Sequence, residues 1–134
     1  KLDHHSALKK RATDIRLKPE EWTKIFSSSK INIVIHFQDG ETLCYQAAPR
    51  VYEALACRSF LLVDDQKDVQ SLFQDGKHLV IFKEIEDLQQ KITYYLNQAD
   101  ERKKIARQGY EEVVHNHTYL HRMQEMFSVI EAGK

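Results

Sequence analysis

The seventeen residues from Pro49 to Asp65, PRVYEALACRSFLLVDD, constrain the fold more than any other stretch of the chain. Proline fits the first turn of a helix, where an N–H would have no partner. In a helix opening at Pro49, Val51, Ala54 and Leu55 share one apolar side. A tight turn follows. Phe60 to Val63 is then an unbroken apolar run, the pattern of a strand covered on both faces. Glu53 sits one turn into the helix, where the helix dipole favours a carboxylate. Such a carboxylate can accept two hydrogen bonds from a vicinal diol, for example that of a ribose.

The rest of the chain repeats this alternation. Asp14 to Leu17 alternates like a short edge strand. Pro19-Glu20-Glu21-Trp22 opens a helix with Trp22, Ile25 and Phe26 as its buried side, ending at Ser27-Ser28-Ser29. Ile31 to Phe37 is β-branched and nearly all apolar, which predicts a central strand of a parallel sheet. Gln38 to Ala48 reads as a loop, with Asp39-Gly40 as a turn signal. Open α/β sheets bind ligands beyond the carboxyl ends of their strands, so His36, Gln38 and Asp39 are candidate cleft residues. A histidine ending a buried strand also reads as a hydrogen-bonded structural residue.

Downstream, Asp68 to Phe73 reads as a short helix, Asp75-Gly76 as a turn and Leu79 to Phe82 as a buried strand. Glu86 to Asn97 places Leu88, Ile92, Tyr95 and Leu96 on one helical face. Asp100 is predicted to cap a helix running to about His115, with Ile105, Ala106, Gly109 and Val113 inward. Thr118 is predicted to cap the last helix, in which Leu120, Met123, Phe127 and Ile130 recur at helical spacing. The expected class is α/β: a partial Rossmann-like parallel sheet of three to four strands, flanked by helices, with a helical C-terminus. A complete doubly wound domain has more strands, so early strands are expected to be missing. Residues 1–13 read as a flexible or truncated segment and 14–134 as the domain.

Composition removes several function classes. With 20 Lys and Arg against 20 Asp and Glu, the formal charge is zero, which argues against nucleic acid and anionic membranes as partners. No apolar run approaches the roughly 18 residues of a membrane span. Two cysteines, Cys44 and Cys57, are too few for a disulfide framework and predict reduced thiols in a cytoplasm. His117 and His121 have a metal-compatible i, i+4 spacing near His115, but no Glu- or Cys-rich set completes a site, so no metal is expected. Leu61 to Asp65 also looks like the opening of a phosphoacceptor receiver domain. Only one further strand follows, ending at Phe82-Lys83, too few for that fold. The chain has neither a P-loop nor a Gly-rich dinucleotide fingerprint.

Taken together, Arg50-Val51-Tyr52-Glu53-Ala54-Leu55-Ala56, Ser71 to His78, Glu86-Asp87-Leu88, Glu101 to Ala106 and His117-Thr118-Tyr119-Leu120-His121-Arg122 resemble, in order, the glycosyltransferases of GT-B type. More narrowly, they resemble the C-terminal "glycosyl transferases group 1" domain of CgeB-like spore maturation proteins, over roughly residues 14 to 132. The resemblance implies a domain that binds a nucleotide-diphosphate sugar as donor substrate, with no other cofactor. It places Glu53 on the ribose hydroxyls. Arg50 becomes either a diphosphate clamp or an ion-pair partner of Glu53. Sporulation, and a place in the mother cell or on the spore, rest on this resemblance alone. So does the expectation that an N-terminal GT-B domain of the same chain supplies the acceptor side, leaving this part inactive by itself. Two positions depart from the wider pattern. Tyr45 stands where a second acid is usual, and stacking on a base or sugar is its candidate role. Arg58 stands where glycine is usual, at a cost of about 1 kcal/mol if the left-handed backbone is kept. Both departures suit an alternative reading, a non-catalytic spore or envelope interaction domain that retains the fold.

Overall fold

The computed structural model describes residues 17–36 and 47–133. Its elements alternate as the sequence predicts: α1 (Pro19–Ser28), β1 (Asn32–Val34), α2 (Pro49–Ala56), β2 (Leu61–Asp64), α3 (Lys67–Leu72), β3 (Val80–Phe82), α4 (Ile85–Asn97), α5 (Ala99–Asn116) and α6 (Tyr119–Ala132). The three strands form a parallel sheet in the order β1-β2-β3, registered Asn32 to Leu61 and Leu62 to Val80. This α/β sandwich matches the expected partial Rossmann-like half. The predicted edge strand over residues 14–17 falls outside the described residues except for Leu17, which is not in a strand.

Among the described residues the central strand is β2, not the strand beginning near Ile31. Every residue of β2 is buried, whereas β1 alternates and leaves Ile33 44% exposed, with Ile35 just beyond it 68% exposed. Strand alternation divides the core into two layers. Leu61, Val63, Leu79 and Ile81 point to one side, where Val51, Ala54 and Leu55 of α2, Val69 of α3 and Val113 of α5 cover them. Phe60, Leu62, Val80 and Phe82 point to the other, against Leu88 and Tyr95 of α4 and Ile105 and Ala106 of α5. The outer edge of β3 is closed by side chains. Asp75 Oδ1 accepts from the Ile81 N–H at 2.8 Å, and Lys91 Nζ donates to the Ile81 carbonyl at 2.7 Å. An edge satisfied this way does not template further pairing.

Capping explains where the helices begin and end. In α1, Glu21 reaches back to the Lys18 N–H at 2.7 Å, one arm of a capping box. Thr118 caps α6 as predicted. Asp100 does not cap α5: Gln98 is the N-cap, and Asp100 lies in the first turn, where its charge still suits the dipole. Trp22 and Phe26 face inward on α1, but Ile25 is 41% exposed. On α4, Leu96 is also half exposed, while Leu88 and Tyr95 are buried.

The turn from α2 to β2 keeps the left-handed residue that glycine usually provides. Arg58 has φ 55°. Its N–H donates to the Leu55 carbonyl at 2.9 Å, and the Ser59 N–H donates to Ala54 at 3.2 Å, the two bonds of a Schellman motif. The Arg58 guanidinium lies 4.3 Å from the centroid of the Tyr110 ring, a cation–π contact that offsets part of the backbone strain. No helix among the described residues is long and apolar enough to cross a membrane.

Candidate functional site

The carboxyl end of β1 and the amino end of α2 converge on one opening of about 500 Å³. Trp22, Val34, His36, Pro49, Arg50 and Glu53 line it. Its place beyond a strand end is where open α/β sheets bind ligands. The chain is led there by His36. Its Nδ1 lies 2.6 Å from Asp64 Oδ1 at the end of β2, and its Nε2 accepts from the Ala48 N–H at 3.0 Å. Accepting at Nε2 fixes the proton on Nδ1, which donates to the carboxylate. The His36 backbone N–H also donates to Asp64 Oδ1, at 3.0 Å, and Gln66 Nε2 donates to Oδ2 at 2.8 Å. Both ring nitrogens of His36 are thus engaged by protein. The residue shapes the wall and sets the start of α2, and the structural option raised by its sequence position describes its contacts.

Glu53 is exposed and makes no hydrogen bond or ion pair with another described residue. It is the fifth residue of α2, beyond the first turn where the helix dipole acts most strongly, so the dipole expected to favour its charge contributes little. Its negative charge reaches Cys57, one turn further on. The thiol pKa is raised first by burial and then by Glu53, while a hydrogen bond from Thr23 works in the opposite direction. Cys57 is a free, half-buried thiol; Cys44 lies outside the described residues.

Arg50 does not pair with Glu53. Its guanidinium lies over Trp22, with Cζ 4.9 Å from the ring centroid, a cation–π contact. That contact consumes no N–H group, so the guanidinium can still meet a bidentate anion. Trp22 is itself braced by Phe26, the ring centroids 5.8 Å apart. In the sequence, Trp22 stands out only as part of an apolar helix side. Its role as the platform under Arg50 carries no spacing signal, because the two residues lie 28 positions apart.

Glu53 also borders a second opening, of about 310 Å³, with Tyr52, His117, Tyr119 and Arg122. His117 ends α5 and packs against Tyr52 and Phe73, at 6.0 and 5.0 Å between centroids. Arg122 Nη2 lies 2.9 Å from His117 Nδ1, which as the acceptor leaves the ring proton on Nε2. That buried Nε2 sits 3.3 Å from Glu112 Oε1 without hydrogen-bond geometry. Glu112 Oε2 in turn lies 3.7 Å from His78 Nε2. Burial lowers the His78 pKa below the usual histidine value; Glu112 opposes this, and Lys77 and His117 add to it. Of the histidines, the sequence raises His115, His117 and His121 as a metal-compatible group. His121 Nδ1 instead contacts the Thr118 hydroxyl at 2.7 Å, and His115 Nδ1 contacts the Glu111 carbonyl at 2.7 Å. No group of three or more His, Cys, Asp or Glu among the described residues is arranged to hold a metal ion.

Of the residues singled out from sequence, Glu53, Arg50 and His36 therefore meet at one opening. Gln38, Asp39 and Tyr45 lie outside the described residues. A family model described as glycosyl transferase-like matches residues 5–128. No curated protein and no solved structure matches the chain.

Proposed function

Because the chain belongs to the glycosyl transferase-like family, we propose that it is the donor-binding half of a two-domain GT-B glycosyltransferase, of the CgeB-like group, and holds a nucleotide-diphosphate sugar at the amino end of α2. The observation that carries this is the Glu53 carboxylate: exposed, without a partner among the described residues, and beside an opening at the end of a parallel strand. In this reading Glu53 accepts both hydroxyls of the ribose. Arg50, held over Trp22, takes diphosphate oxygens with its guanidinium N–H groups. His36 and Asp64 keep β1 and α2 in register so that the two groups stay a fixed distance apart. Gln38, Asp39 and Tyr45 lie in the sequence between those elements and are assigned to the same donor site by their place in the chain. The acceptor site, and the base that takes the acceptor hydroxyl's proton, come from an N-terminal domain of the same protein. As the acceptor oxygen bonds to the anomeric carbon, the bond to the diphosphate breaks and the nucleoside diphosphate leaves.

Amide chemical-shift mapping with nucleoside diphosphates and sugar nucleotides tests the assignment. Shifts should cluster at Trp22, His36 and residues 47–53. Glu53→Ala should weaken binding by about 10- to 100-fold, the loss of charge-assisted hydrogen bonds to a diol. No response at millimolar ligand, or shifts remote from α2, would refute it and favour a domain that keeps the fold without donor binding.

A further inference from the structure

We propose that His117 is a proton-operated latch on α6: its neutral ring holds Arg122 at the second opening, and a proton on Nδ1 releases it. The His117 side chain follows α5 and is 9% exposed, packed against Tyr52 and Phe73. Arg122 Nη2 donates to His117 Nδ1 at 2.9 Å, so that nitrogen must carry a lone pair. The proton of the neutral ring then sits on Nε2, which is buried and has no hydrogen-bond partner among the described residues. One ring nitrogen is satisfied and the other is not.

A second proton reverses this. An Nδ1–H would face the guanidinium, donor against donor and cation against cation, so the Arg122 bond is lost. The positive ring is drawn instead toward Glu112, whose Oε1 lies 3.3 Å from Nε2. Histidine makes this exchange between about pH 8 and pH 5. Other charged and titratable groups surround the ring. Glu112 Oε2 also faces His78 Nε2 at 3.7 Å, and Lys77 precedes His78 in the chain. Glu53 and the phenols of Tyr52 and Tyr119 border the opening, and His121 of α6 contacts the Thr118 hydroxyl. Among the described residues Arg122 is the one bonded to Nδ1, so its contact is the one that the proton removes. The released guanidinium keeps a partner, because Nη1 holds Glu125 Oε2 at 2.9 Å. The helix loses more. No residue of α6 is buried, so apolar packing adds little to its attachment, and the Arg122 bond ties it back to the end of α5. Tyr119 and Arg122 line the opening that Glu53 borders, so loosening α6 widens it. The latch operates whatever Glu53 binds.

Hydrogen exchange of the α6 amides, taken as protection factors at about pH 8 and about pH 5, reads the latch, while nitrogen-15 shifts of the His117 ring report its protonation. Protection along α6 should fall by about 10-fold at the lower pH, the loss of one charge-assisted hydrogen bond. Arg122→Met removes the donor at an exposed position, and its α6 should be as weakly protected at the higher pH as the parent is at the lower. His117→Gln keeps an uncharged acceptor, and its α6 protection should not vary with pH. Equal protection of the parent at both pH values overturns the proposal. A pH response that survives in Arg122→Met belongs to the His121 contact with the cap and overturns it too. So does an Arg122→Met protein whose α6 is protected like the parent's at the higher pH.

Discussion

Gly109 fixes how closely α5 can approach the layer that carries Glu53. A Cβ built there would lie 2.8 Å from Leu55 Cδ2 and 3.2 Å from the His78 carbonyl carbon, with the His78 carbonyl oxygen closer still. Two of those atoms are backbone and cannot rotate aside. Gly109→Ala must therefore push α5 away from α2 or displace the loop bearing His78. Overpacking of this kind costs about 1–3 kcal/mol, and a backbone clash belongs at the upper end. Replacing glycine in a helix interior returns about 1 kcal/mol of propensity. The net expectation is a loss of about 2 kcal/mol. For a chain of 134 residues that corresponds to roughly an 8 °C fall in Tm. Urea denaturation followed by circular dichroism measures it, with Gly133→Ala as control. There a Cβ meets only the Val129 carbonyl oxygen at 3.5 Å and the Ile130 oxygen at 3.8 Å, ordinary contacts. The control should stay within about 0.5 kcal/mol of the parent. A Gly109→Ala protein with an unchanged or raised urea midpoint would show that α5 packs less tightly than argued.

Three further expectations concern single side chains. Arg58→Gly should be more stable than Arg58→Ala by about 1 kcal/mol, because only glycine relieves the left-handed backbone while both lose the Tyr110 contact; equal midpoints would remove the strain argument. His36→Ala strips the Asp64 carboxylate and the Ala48 N–H of a shared partner and should cost about 2 kcal/mol, with amide shifts at Ala48 and Gln66; an unaltered Tm would mean that water replaces the ring at no cost. His78, whose pKa burial lowers, stays neutral in the fold while the unfolded chain takes up its proton near the usual value of 6.5. Stability should therefore be fully present above that value and fall as pH drops through it, levelling off below the folded pKa. The slope should flatten in His78→Gln, and an identical slope in that variant would assign the effect elsewhere.

The sequence alone determined the alternation of elements. Proline at two helix starts, unbroken apolar runs for strands and a 3.6-residue period after Glu86 are local signals, set by backbone sterics and by which face must leave water. They placed Glu53 in the first turns of α2 and His36 at the end of a strand, within one element of their observed positions. Strand order was not legible, because a β-branched run says that a strand is buried but not which neighbours bury it; among the described residues the all-buried β2 is central and β1 is not. Choice of partner was equally hidden. Arg50 had Glu53 within reach along its own helix, yet it lies over Trp22 because the packing of α1 against α2 puts an aromatic face beneath it. His36 finds Asp64 across 28 residues, through strand pairing. Only the tertiary structure left the Glu53 carboxylate unclaimed among the described residues: hydrogen bonds and ion pairs form between groups that long-range packing brings together, and no spacing along the chain records them.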